Sequence, residues 1–225
     1  MSCFVLLSEK KWHDQLYSNL STYGKTNWVR IEDKQMFTIQ ELDKINPQKI
    51  FIPHWSYIIP DIIYEKYQCV VFHMTDLPFG RGGSPLQNLI IRGIKKTKIS
   101  AIRVVKELDA GDIYIKRELS LEGTATEIFL RSVPIIEEMI KRIIEDDLQP
   151  SPQFGETVNF KRRKPEDSNI ADLSSINDIY DYIRMLDCEG YPPAFIELEH
   201  FRIEFTNAQF ENRNKLNANV RIFKK

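Results

Sequence analysis

A histidine, an aspartate and the glycine-rich segment between them hold most of the chemical potential of this chain. His73 closes the apolar run QCVVF and opens the segment HMTDLPFGRGGSP. An imidazole whose ordinary pKa lies near neutrality serves as a general base or as a hydrogen-bonding electrophile. Gly80, Gly82 and Gly83 let the backbone approach a ligand closely. Asp109, in LDAGDI, follows the next apolar stretch. A carboxylate there can hold the imidazole, stabilise its cation or position a water. By residue type alone two readings stand. A histidine at a strand end is more often structural than catalytic, and Asp109-Ala110-Gly111-Asp112 also reads as an ordinary Asx-capped turn. The glycine segment fits neither the GxGxxG fingerprint nor a phosphate-binding loop ending in Lys-Ser/Thr.

These residues need elements to position them. CFVLL from Cys3, Trp28 to Ile31, KIFIP from Lys49 and QCVVF from Gln68 read as short buried strands. Helical spacing between Glu9 and Leu20, and a Thr38/Glu41 capping box stopping before Pro47, place helices between them. Alternating units of this kind predict an α/β fold: a Rossmann-like open, mainly parallel sheet flanked by helices. In such a sheet, His73 and Asp109 lie along the same carboxyl edge. Leu86 to Gly93 reads as a helix, and Ile99 to Val105 and Asp112 to Leu119 read as further strands. Thr124 to Asp147 is the longest helix, with an isoleucine-rich stripe and a kink or break expected at Pro134. The linker Leu148-Gln149-Pro150-Ser151-Pro152 divides residues 1–149, the catalytic domain, from residues 150–225, a linker and a small, mostly β C-terminal subdomain.

Composition narrows the function class. At 225 residues with a net charge of −1, the chain argues against a broad nucleic-acid surface. Cys3, Cys69 and Cys188 make neither a zinc pattern nor a disulfide framework, so no metal is expected and a reducing cytoplasm fits. The apolar start Met1 to Leu7 is too short for a signal peptide, and no run is long enough to span a membrane.

HMTDLPFGRGGSP resembles the formyltransferase loop N-x-H-x-S-x-L-P-x-x-x-G, and LDAGDI resembles that family's second motif, L-D-x-G, in the same order and at a similar separation. The resemblance to folate-dependent formyltransferases covers roughly the first two-thirds of the chain. Arg184 to Asp187, followed by Tyr191 to Phe195, extends it to the small C-terminal domain of the methionyl-tRNA and sugar enzymes. The resemblance implies acyl transfer from 10-formyltetrahydrofolate, with His73 and Asp109 catalytic. It implies a folate contact along Thr75, Asp76, Leu77 and Pro78, and along Leu108, Ala110, Gly111, Asp112 and Ile113. The family's asparagine, two residues before the histidine, is Val71 here, and Asn88 is the candidate substitute; a helix residue capping locally is its other reading.

For the acceptor, the wording of the loop most resembles the sugar-nucleotide N-formyltransferases of pseudaminic-acid biosynthesis. This implies a UDP-linked 4-amino-4,6-dideoxy sugar, with nucleic acid an unfavoured partner. Arg162 and Arg163 in FKRRKP would then meet a pyrophosphate, or else form a solvated basic loop. Trp55 and Tyr57 would stack on a ring, or pack at the sheet edge, and Arg81 joins them on the acceptor side. The alternatives are an aminoacyl group on tRNA or on a carrier protein, and a non-catalytic folate- or nucleotide-binding module.

Overall fold

The computed structural model describes residues 2–225. The chain opens as β1 (Cys3–Ser8), followed by a short 3-10 turn and α1 (Asp14–Ser21), then β2 (Asn27–Ile31), α2 (Ile39–Ile45), β3 (Lys49–His54), α3 (Asp61–Tyr64) and β4 (Gln68–His73). Next come β5 (Phe79–Gly82), α4 (Pro85–Ile90), β6 (Lys96–Arg103), β7 (Ile113–Ser120) and α5 (Ala125–Glu145). The chain ends with β8 (Val158–Phe160), α6 (Ile176–Arg184), β9 (Ala194–Glu197), β10 (Phe201–Asn212) and β11 (Lys215–Lys224). The main sheet has the order β2-β1-β3-β4-β6-β7, and the pairs β1–β2, β1–β3 and β3–β4 are parallel. This is the α/β fold with a mainly parallel sheet that the alternation of apolar runs and helices predicts.

One pairing departs from the expected edge. β6 runs antiparallel to β4, with Val70 opposite Arg103 and His73 opposite Ser100. The end of β6 therefore lies beside the start of β4, away from His73. A parallel return would need a crossover that carries the chain back along the sheet. The six-residue helix α4 rises only about 9 Å, against about 20 Å for a six-residue strand. α5 runs from Ala125 to Glu145 with Pro134 inside it, so the proline does not break the helix.

Contact clustering gives two compact units, both discontinuous in sequence. One comprises residues 1–82, 97–119 and 131–159, the other residues 83–96, 120–130 and 160–225. They do not follow the 149/150 cut that the linker indicates. In the first unit, alternation along the strands sends Val5, Leu7, Ile50, Ile52 and Cys69 into an apolar cluster with Leu42, Ile63 and Tyr67. Phe4, Trp28, Phe51 and Phe72 form the aromatic packing of the opposite face, with ring centroids 5.2 to 6.4 Å apart. The second unit contains the antiparallel sheet β11-β10-β9. Among the described residues, no helix is long and apolar enough to cross a membrane.

Candidate active site

β4 delivers His73 at its last position. Its imidazole is buried, and Nε2 lies 2.8 Å from the Gly80 carbonyl. A carbonyl has no proton to offer, so Nε2 carries the hydrogen and donates it. The basic nitrogen is then Nδ1, which faces Asp109 Oδ2 at 3.6 Å. A proton taken at Nδ1 would sit beside a carboxylate while Nε2–H stays on a carbonyl, so both ends of the cation are stabilised. At 3.6 Å the two groups can also act through one water.

Asp109 reaches His73 without help from a parallel strand. The segment 104–112 folds back after β6 and holds Asp109 with φ near 54°. Asp109 Oδ2 accepts from the Gly82 N–H at 2.8 Å, which joins the aspartate turn to the glycine segment. Gln153 Nε2 donates to the Asp109 and Gly111 carbonyls, each at 2.8 Å, and its Oε1 accepts from Arg81 Nε and Nη2 at 3.1 and 2.9 Å. Gly111 has no alternative at its position: a Cβ there would lie 1.7 Å from the Arg103 carbonyl oxygen.

The glycine segment is built as carefully. β5 pairs with β8, and Val158 N–H donates to the Pro78 carbonyl at 3.3 Å. Thr75 Oγ1 donates to the same Gly80 carbonyl that takes His73, at 3.3 Å. Ser100 Oγ donates to the Thr75 carbonyl at 2.7 Å and accepts from the Leu77 N–H at 3.3 Å. Lys116 Nζ bridges Asp76 Oδ1 at 2.6 Å and the Leu77 carbonyl at 2.5 Å, while Lys98 holds the other Asp76 oxygen at 2.9 Å. Burial pushes the Asp76 carboxyl up, but the hydrogen bonds and charges of Lys116 and Lys98 outweigh it and hold the group below the usual carboxylate range.

Several residues singled out from the sequence serve the scaffold. Thr75 and Leu77 are fully buried and shape the loop. Ala110, Gly111 and Asp112, with Arg103 to Lys106, Tyr64 and Glu65, line an open depression of about 370 Å³, whereas Leu108 points outward, 55% exposed. Ile113 exchanges backbone hydrogen bonds with Ser151. Val71, on the same face of β4 as His73, packs with Trp55, Tyr64 and Val104 against the apolar cluster. Tyr57 meets the Trp55 ring edge-on at 5.3 Å and carries Lys34 over its own face at 4.2 Å. Arg81 is engaged by Gln153 and, at 3.5 Å, by Glu107.

In the second unit, Asn88 Nδ2 donates to the Gly83, Ser84 and Lys161 carbonyls at 3.1, 3.1 and 2.9 Å, and Oδ1 accepts from Arg92 at 2.9 Å. Its amide is thus spent on local backbone. Arg163 lies over the Tyr182 ring and donates to the Asp167 carbonyl, and its backbone N–H donates to Ser84 Oγ. Arg162 abuts Gly83 so closely that a Cβ on that glycine would lie 2.5 Å from Arg162 Cβ. Gln153, Ser100 and Lys116 escape a sequence reading because each acts through backbone carbonyls or a single carboxylate, which no residue pattern records.

Comparison with known proteins discriminates where the motifs do not. A profile of the methionyl-tRNA formyltransferase C-terminal domain matches residues 165–223. The solved structure of a methionyl-tRNA formyltransferase from Clostridium thermocellum is 48% identical, with a TM-score of 0.97 and full coverage of both chains. The methionyl-tRNA formyltransferase of Rickettsia felis is 28% identical over 186 residues, 78% of this chain and 59% of the relative. The chain thus spans about three-fifths of the length of the curated relatives it matches. HypX from Aquifex aeolicus, solved with tetrahydrofolic acid, shares the fold at 19% identity and a TM-score of 0.76, over 91% of this chain and 37% of the other.

These findings correct the acceptor assignment. The sugar-nucleotide reading, with its pseudaminic-acid pathway, falls to the full-length similarity and to the C-terminal match, both to methionyl-tRNA enzymes. The argument against nucleic acid falls with it. Net charge is a sum over the chain, and it hides Arg213, Lys215, Arg221, Lys224 and Lys225, which follow Glu211 with no further acidic residue.

Proposed function

The chain belongs to the formyltransferase family, and from that premise we propose that it transfers the formyl group of 10-formyltetrahydrofolate to the amine of a methionyl group carried on tRNA. The observation that carries this reading is the 48% identity, over the whole of both chains, to the Clostridium thermocellum methionyl-tRNA formyltransferase.

The geometry supports the chemistry. Acceptor nitrogen and formyl carbon join, the bond from that carbon to N10 of the folate breaks, and one proton passes from the amine to N10. His73 Nδ1 is the group that accepts this proton and returns it, with Asp109 holding the imidazolium between transfers. Gly80 fixes the ring in the tautomer that leaves Nδ1 basic. The depression beside the aspartate turn suits the folate. Val104 to Lys106 and Ala110 to Asp112 line it, an open concave surface for a flat ring beside the aspartate turn. Val71 brings no amide to the formyl oxygen, so this chain polarises that carbonyl without the family's asparagine. An aminoacyl-tRNA acceptor places the reaction in the cytoplasm, in keeping with the three free cysteines.

The test is a formylation assay with purified chain, 10-formyltetrahydrofolate and methionyl-tRNA. Formylmethionyl-tRNA is expected, and His73→Ala serves as the blank. No product at any enzyme concentration, from a preparation that is folded by circular dichroism, would sink the proposal.

A further inference from the structure

We propose that Gln153 is a positioning residue for formyl transfer: it locks the aspartate turn to the glycine segment and so sets the His73–Asp109 geometry. This role rests on the formyl-transfer reading of that pair.

Gln153 spends its whole amide on two segments that approach His73. Both Nε2 hydrogens go to the aspartate turn, one to the carbonyl of Asp109 and one to that of Gly111. These two acceptors belong to the 109–110 and 111–112 peptide planes, so the planes on either side of Ala110-Gly111 are held. The oxygen takes two N–H groups of Arg81 on the glycine segment. Reversing the amide would set Oε1 against two carbonyls and the NH2 against a guanidinium, so the orientation is forced. The residues on either side of Arg81 are those that touch the reacting pair: Gly80 accepts from His73, and Gly82 donates to Asp109.

The clamp is itself anchored. Ser151 and Ile113 exchange backbone hydrogen bonds at 2.8 and 2.9 Å, which seats the strand leading to Gln153 beside β7. The aspartate turn needs such a hold. Asp109 sits in the left-handed region, uncommon for a residue other than glycine. The turn's other holds are the Gly82 N–H on Asp109 Oδ2, the Arg103 N–H on the Asp112 carbonyl at 2.9 Å and the close approach of Gly111 to Arg103, and of these only the Gly82 bond reaches the glycine segment. Small displacements of an acid–base pair are expensive in rate, on the order of 10²-fold for about 1 Å.

Two variants separate positioning from general stability. Gln153→Met preserves bulk and removes every hydrogen bond. Gln153→Glu keeps acceptors for Arg81 but sets a carboxylate against two carbonyls. For both, we expect kcat for methionyl-tRNA formylation to fall about 30- to 100-fold while KM for methionyl-tRNA moves less than about threefold. In an Asp109→Asn background, Gln153→Met should cost less than about threefold more, because the geometry it guards no longer matters. Hydrogen exchange followed by mass spectrometry should rise in residues 79–82 and 104–112 and stay unchanged elsewhere. An unchanged kcat, an equal loss in the Asp109→Asn background, or exchange rising across the whole chain would each overturn the proposal. If the parent protein forms no formylmethionyl-tRNA, the functional reading fails, and the exchange pattern alone decides whether Gln153 clamps the two segments.

Discussion

Two histidines stand near the carboxyl edge of one sheet and meet opposite surroundings. His73 ends β4 beside a carbonyl and a carboxylate. His13, in the turn after β1, is buried with Nδ1 2.7 Å from Ser8 Oγ. Burial pushes His13 down to about 3, and the neighbouring His54, Arg30 and Lys10 push the same way. His54, at the end of β3, is driven down to about 4 by burial and by Lys10. The residue type is the same in each place. What differs is the sign of the charge nearby and whether the chain leaves room for a proton to arrive. An imidazole can exchange protons only where its cation is provided for. By that criterion the proposed chemistry belongs to the β4 end, whereas the β1–β3 end, the topological switch point where open α/β sheets usually bind ligands, keeps His13 buried against Ser8 Oγ.

The largest expected effect tests that distinction directly. His73→Ala should lower turnover by about 10³-fold or more, within the range for loss of a general acid–base group together with its partner. Asp109→Asn retains a carbonyl oxygen for the Gly82 N–H but loses the charge, and a loss of about 10²-fold is expected. His13→Asn should leave turnover within about threefold and cost stability instead, about 1–3 kcal/mol for disturbing a buried polar pair. Parallel measurements of kcat and of denaturant midpoints check all three. Equal losses of activity at His73 and His13 would erase the contrast.

Asn88 sharpens the comparison from another side. Its amide is buried and saturated, so it belongs with His13 as a polar group consumed by the fold. Asn88→Ala removes the side-chain donor from the Gly83 and Lys161 carbonyls, while Ser84 keeps the backbone N–H of residue 88, and a loss of about 2 kcal/mol of stability is expected from the partners left behind. Turnover of the folded fraction should change less than threefold or so, by analogy with other sites whose hydrogen bonds are local. A hundredfold fall in kcat at unchanged stability would instead make Asn88 the substitute for the missing asparagine at Val71.

Much of this was legible in the residues. The parallel half of the sheet follows from apolar runs separated by turn signals, and Thr38 Oγ1 caps α2 by accepting from Glu41 N–H at 3.3 Å, as the capping box predicts. The order His73, glycine segment, Asp109 was legible too, because one residue type at one spacing carries it. The direction of β6 was not, since it depends on what the short α4 can span. In the hairpin, only Phe201 to Phe205 and Val220 to Phe223 are apolar enough to read as strand from the sequence. Its outer half, TNAQFEN and KLNAN, is mostly polar, with Ala208, Phe210, Leu216 and Ala218 too sparse an apolar pattern to mark a strand, whereas cross-strand pairing extends it to Asn212 and Lys215. The acceptor was unreadable for a different reason. Under the proposed function the loop and L-D-x-G motifs serve the formyl donor and the proton, and nothing in them touches what distinguishes an aminoacyl group from a sugar.

The smallest effect, and the one most specific to the comparison, is on stability against pH. In the unfolded chain His13 takes up a proton near 6.5, whereas in the fold burial delays this to about 3. Between those values the unfolded state binds more protons, so protonation favours unfolding. The contribution of His13 is therefore complete above pH 6.5 and is lost progressively as the pH falls toward 3. The slope approaches at most about 1.4 kcal/mol per pH unit for one histidine. Asp76 acts in the same direction lower down: its depressed carboxyl stabilises the fold above the ordinary carboxylate pKa of 3.8, and that support disappears as acid protonates it. Urea titrations at pH 7.5, 6.0 and 5.0 separate the two, because Asp76, held below 3.8, keeps its charge across that window. His13→Asn should flatten the decline between pH 6.5 and 5, leaving the part due to His54. If the parent protein is equally stable at all three pH values, the β1–β3 end is not closed to protons, and the division of labour between the two sheet ends fails.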